Sequence, residues 1–96
     1  MISTSYYVKP GKEEEFKELW TESVQKNAYR HGAEMVSLFY NNEKDDYFAA
    51  IIFGSHAQSE AFLSSEEFKH ALQKLTPLCL LPPSRGMMEV MFEAAA

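Results

Sequence analysis

Cysteine is almost missing from this chain. Cys79 is the only one among 96 residues, which excludes an internal disulfide and any multi-cysteine zinc site. A lone thiol, with no stretch that reads as a signal peptide, leads us to expect a reducing, cytoplasmic setting. No apolar run approaches the roughly 18 to 20 residues that a membrane span needs. Basic charge is sparse as well: nine Lys and Arg stand against fourteen Asp and Glu, a net charge of -5. The cations are scattered rather than arrayed in a stripe, so phosphate neutralisation along a nucleic acid is not expected. Neither a Gly-rich phosphate loop nor a nucleophile–base pair can be found. No two histidines share the i,i+4 spacing of a helical metal site, so no metal is expected.

What is present is apolar and aromatic. At 46% hydrophobic and 14% aromatic residues the chain can pack a core, and its length makes residues 1–96 one domain with no room for a second core. Ile2 to Val8 reads as a β-branched and aromatic strand that stops at the Lys9-Pro10-Gly11 turn. Lys12 to about Arg30 reads as a helix with Phe16, Leu19, Trp20, Ser23, Val24 and Asn27 on one side and an acidic first turn. Gly32 is placed to cap it. Ala33 to Tyr40 and Tyr47 to Phe53 form a hairpin around the polar turn Asn41 to Asp46. The second of these strands is apolar at every position, the pattern of a strand buried on both faces.

Ala57 to Leu75 reads as a helix in two pieces, with capping boxes at Ser55–Gln58 and Ser64–Glu67 and a break near Leu63-Ser64-Ser65. Pro77, Pro82 and Pro83 end it and flank the apolar loop Leu78-Cys79-Leu80-Leu81. Met87 to Glu93 alternates as a last strand, its Met87, Met88 and Met91 joining Met35 as adaptable packing. The order βαββαβ is the ferredoxin-like arrangement, α+β, with a four-stranded antiparallel sheet carrying both helices on one face. Two helices cover one face only. Since both faces read as apolar, a homodimer through the open sheet face is expected.

With these elements in place, Val8-Lys9-Pro10-Gly11-Lys12-Glu13-Glu14-Glu15-Phe16-Lys17-Glu18-Leu19-Trp20 resembles the opening of the antibiotic biosynthesis monooxygenase (ABM) family of dimeric α+β barrels. The broken second helix, Ala61-Phe62-Leu63-Ser64-Ser65-Glu66-Glu67-Phe68, is similar to that family's corresponding segment. The resemblance implies a ferredoxin-like dimer and a cavity between helices and sheet. The activities it implies are cofactor-free oxygenation of quinols or aromatic polyketides, haem degradation, or isomerisation of a phosphorylated sugar; fold alone does not choose among them. The departures narrow the choice. Ile51-Ile52-Phe53 stands where many relatives carry Glu-x-Trp, and Phe62 and Glu67 stand at two frequent histidine positions. Thr4, Phe62 and Leu72 fill the places of the haem-degrading branch's Asn, Trp and His, which speaks against haem degradation.

The reading that follows is a cofactor-free monooxygenase acting on a small aromatic or quinol-like metabolite. It needs a proton acceptor, hydrogen-bond donors and aromatic walls in a dry cavity. Tyr6, Tyr7, Trp20 and Phe62 are the candidate walls and donors, Arg85 a candidate anchor for an anionic substrate, and His70 the candidate base. Each has a plainer role too: Trp20 as the largest core residue of its helix, His70 as a solvated helix residue, Arg85 in a salt bridge, and the inward tyrosine as a satisfied core residue. His31 reads as a capping-region residue, His56 as exposed, and Asp45 and Asp46 as turn formers. The histidines missing at Phe62 and Glu67 also keep a non-catalytic module open, a dimer that holds a hydrophobic metabolite without consuming it.

Overall fold

A computed structural model describes residues 1–87. Its elements run β1 (Ile2–Tyr6), α1 (Glu13–Trp20), a π-helical segment (Thr21–Gln25), α2 (Lys26–Arg30), β2 (Ala33–Asn41), β3 (Asp46–Phe53), α3 (His56–Leu63), α4 (Glu66–Leu75), a short 3-10 turn (Thr76–Leu78) and β4 (Ser84–Met87). The sheet order is β2-β3-β1-β4 with every pairing antiparallel, the ferredoxin-like arrangement. β4 begins at Ser84, three residues before the alternating segment read from the sequence. Its expected continuation to Glu93, with the methionines there, lies outside the described residues.

Side-chain alternation sorts the sheet. Ile2, Thr4 and Tyr6 of β1 share a side with Tyr47, Ala49, Ile51 and Phe53 of β3, and this side receives the helices. Val36 and Leu38 of β2 pack against the same core. The far side carries Met35, Phe39, Phe48 and Ile52 on β2 and β3, but Ser3, Ser5, Ser84 and Gly86 on β1 and β4. The expectation of two apolar faces therefore holds for half of the sheet. β1 ends at Tyr6, and Val8 joins only an isolated bridge to Cys79.

The first helix explains its own π segment. Phe16, Trp20, Val24 and Ala28 are all buried, a spacing of four residues. Four residues of ideal α-helix overshoot a turn by about 40°, so the stripe would drift off the core within three steps. Widening the helix over Thr21–Gln25 keeps Val24 and Ala28 facing inward. Gly32 ends it at φ 92, where a Cβ would stand 2.8 Å from Gln58 Nε2.

The second helix breaks where expected, but the cap of α4 is Ser65, not Ser64: Ser65 Oγ accepts from Phe68 N at 3.2 Å. Ser55 caps α3 as read, accepting from Gln58 N. In the proline-flanked loop Leu78 and Cys79 are buried, whereas Leu80 and Leu81 are exposed. No helix among the described residues is long and apolar enough to cross a membrane.

Candidate functional site

The layer between helices and sheet is packed with aromatic rings in two rows. Tyr6, Phe16 and Tyr47 follow one another with centroids 5.1 and 5.2 Å apart, and Phe53, Phe62 and Phe68 with centroids 5.6 and 4.9 Å apart. These spacings are those of favourable tilted pairs. Phe62 is fully buried because the α3–α4 break folds its ring onto Phe68 of the next helix.

Two polar groups sit in this apolar setting. Tyr6 is 1% exposed, and burial pushes its phenol up to about 12 from an ordinary 10. Its polar neighbours Trp20 and Thr4 counter part of that rise, as does the positive charge of Arg85. Thr4 lies on the helix side because it is two residues before Tyr6 on the same strand. Trp20 is 3% exposed, and its indole Nε1 has no hydrogen-bond partner among the described residues. It approaches the Tyr6 oxygen without completing a bond. A buried donor left unpaired costs about 1 to 3 kcal/mol.

Arg85 enters from the edge. As the cross-strand neighbour of Thr4 it points to the helix side, and its guanidinium carbon stands 5.5 Å from the Phe68 ring centroid. The guanidinium is the exposed end of a short path: solvent, Arg85, then Thr4, Tyr6 and Trp20 within. No salt bridge to it is formed among the described residues. Cys79 is buried beside Tyr6, and burial raises its thiol too, so it is not a ready thiolate.

The remaining candidates lie elsewhere. Tyr7 follows the last residue of β1 and is half-buried; its backbone carbonyl accepts from Leu80 N at 2.7 Å. His70 is exposed on the outer surface of α4, across the helix from Phe68, and does not reach the interior. The expected cavity base is thus absent from the Tyr6–Trp20 pair for a geometric reason: His70 is two residues past Phe68, about 200° around the helix. His31 instead meets the interior aromatics, its ring 5.7 Å from that of Phe62. His56 is exposed and pairs with Glu60 at 2.9 Å. No group of three or more His, Cys, Asp or Glu able to hold a metal occurs among the described residues.

The structure therefore brings Tyr6, Trp20, Phe62 and Arg85 to one side of the sheet and leaves Tyr7 and His70 apart. Thr4 enters the sequence reading only as a departure from the haem-degrading branch and Phe68 only as part of the broken helix, neither as a site residue. Strand alternation with an inward Tyr6 could have found Thr4. Chemically the interior offers an O–H donor, an unused N–H donor, a cation and aromatic walls, a set suited to an oxyanion on a flat ring.

Known structures share this fold. Rv0793 from Mycobacterium tuberculosis superposes with a TM-score of 0.82 at 11% identity, covering 98% of this chain and 96% of that one. The crystal structure of an antibiotic biosynthesis monooxygenase gives 0.78 at 13% identity, over 94% and 96% of the two chains. A mutant of SnoaB, a cofactor-independent oxygenase from Streptomyces nogalater, gives 0.81 at 17% identity over 96% and 92%. The fold expected from the resemblance is thus the fold of ABM structures. No protein-family model matches the sequence, and no curated protein matches it.

Proposed function

We propose that the interior bounded by Tyr6, Trp20, Phe62 and Arg85 binds a small hydroxylated aromatic or quinol-like metabolite and directs its oxygenation by dioxygen without a bound cofactor. The observation that carries this reading is the buried, unpartnered Trp20 Nε1 beside the Tyr6 hydroxyl. A phenolate or enolate oxygen placed there would satisfy the orphan donor, and it would gain most as its negative charge develops. Arg85 supplies the opposite charge at the entrance, lowering the substrate's own pKa so that no strong protein base is required. Tyr6 acts as donor only, since a phenol held near 12 stays protonated at neutral pH. Oxidation of a ring-flanked methylene to a carbonyl, with the second oxygen atom leaving as water, balances without an external reductant. The shared fold with SnoaB and with an antibiotic biosynthesis monooxygenase supports the same class of chemistry.

The working unit in this reading is a homodimer joined through the sheet side that carries Met35, Phe39, Phe48 and Ile52, in the cytoplasm where Cys79 stays reduced. The test is oxygen uptake by purified protein against reduced quinols and polyhydroxylated aromatics, with no added flavin, haem or metal. Protein-dependent uptake is expected, and Trp20→Phe should cut it by about 10- to 100-fold while the fold survives. Uptake unchanged in a folded Trp20→Phe protein would remove the indole from the chemistry.

A second reading rests on the position of His70. With no imidazole beside Tyr6, the interior can hold a hydrophobic ligand and leave it intact, as a binding module would. Stoichiometric binding without consumption of ligand or oxygen would decide for the module.

A further inference from the structure

His70 and three of the nine Lys and Arg residues, scattered in sequence, meet on the outer side of the helical layer. A groove of about 380 Å³ runs between the first helix ladder and α4, at the small end of the range for small-molecule sites. Its floor is Leu19, Ser23, Asn27 and Ala71, with Ala71 buried and the others half-buried. The π segment sets this floor. Asn27 Nδ2 folds back to donate to the Ser23 carbonyl at 2.7 Å, while the Ser23 hydroxyl has no partner among the described residues.

Lys26 and Arg30 stand one turn apart on one wall and Lys74 on the other, with His70 one turn before Lys74. None of these three cations makes an ion pair among the described residues. Lys17 and Lys69, by contrast, are paired within their own helices to Glu14 and Glu66. Like charges at i,i+4 repel. The negative ends of α2 and α4 offset Arg30 and Lys74, but Lys26 lies in mid-ladder, beyond that help. Glu22 and Glu67 also face the groove, leaving three cations against two carboxylates, a local surplus of +1 in a chain of net charge -5. A surplus that small suits a monoanion better than a phosphate dianion.

We propose that this groove is a second binding site, for a small organic carboxylate. Its short apolar tail lies on Leu19, above the buried Ala71, and its carboxylate lies between Lys26, Arg30 and Lys74, with His70 and the Ser23 hydroxyl as further donors. Leu19 lies about 100° around the helix ladder from Trp20, at the rim of the core, so it lines this groove while Trp20, buried inside, does not.

The test is an amide and indole NMR titration of the full chain with hexanoate, hexanamide and inorganic phosphate, each run separately. Hexanoate is expected to shift the signals of Leu19, Ser23, Lys26 and Ala71, saturating on the order of millimolar, with hexanamide and phosphate much weaker. A Lys26→Gln, Lys74→Gln double variant, both sites being exposed, should keep its thermal midpoint and weaken hexanoate binding by about tenfold. The proposal is overturned if hexanoate leaves the groove signals unmoved or shifts Thr4 and the Trp20 indole instead. It is also overturned if hexanamide or phosphate matches hexanoate, or if the double variant binds hexanoate as well as the parent chain.

Discussion

Tyr6 shows how one buried hydroxyl links folding to pH. Its phenol titrates near 10 in an unfolded chain and about 12 in the folded one, because desolvation disfavours the phenolate. The folded state therefore holds this proton more tightly, and its contribution is whole below about pH 10 and is lost as pH rises toward 12. Two pH units correspond to roughly 3 kcal/mol in full. Urea midpoints measured from pH 9 to 12 should fall more steeply in the parent chain than in Tyr6→Phe, which lacks the titrating group. Equal slopes would mean that the phenol is not desolvated. The neighbouring Trp20 Nε1 is a different kind of residue: it costs stability as it stands and gains a purpose only if something accepts from it.

At the scale of elements, the two serines at the α3–α4 break separate a local pattern from the geometry that uses it. Both precede an acidic turn, and Ser64–Glu67 satisfies the capping-box spacing as a sequence. The chain turns one residue later, with Ser64 still in the helical region closing α3 and Ser65 extended at φ -71, ψ 151. Only Ser65 Oγ then faces the open N–H of Phe68. Ser65→Ala should cost about 1 kcal/mol and lower the thermal midpoint by several degrees. Ser64→Ala should stay within about 0.5 kcal/mol of the parent. The reverse order in a melting experiment would restore Ser64 as the cap. The π segment is the corresponding device in the first helix, trading ideal hydrogen bonding for a continuous buried stripe.

At the scale of the molecule, the side of the sheet away from the helices is uneven. Phe39, 54% exposed, and Met35, 40% exposed, lie beside Phe48 and Ile52, whereas β1 and β4 present serines and glycine. A partner packed there would find its apolar anchor on the hairpin β2–β3 and a close, hydroxyl-lined approach over β1. Phe39→Glu is expected to shift the protein from dimer to monomer at micromolar concentration in sizing with light scattering. A monodisperse parent monomer under the same conditions would dispose of the dimer altogether.

The linear order of residues was enough to determine the element types, their order and the fold they build. Those depend on short-range rules: period two in Ile2–Tyr6, an apolar run in Tyr47–Phe53, caps at Ser55 and Gly32, and prolines after Leu75. It was enough, too, to place Trp20 and Phe62 among the inward residues and to send one of Tyr6 and Tyr7 there, though the fold decided which. The drift of a four-residue stripe against a 3.6-residue helix was legible in Phe16, Trp20, Val24 and Ala28, but its resolution as a π segment depended on the sheet beneath. Tertiary structure alone decided that Arg85 stands over Phe68 and that Trp20 keeps an unused N–H. It alone put His70 in an outer groove with Lys26 and Lys74 instead of beside Tyr6. Those relations join residues of separate elements, and no local propensity encodes a distance across a core.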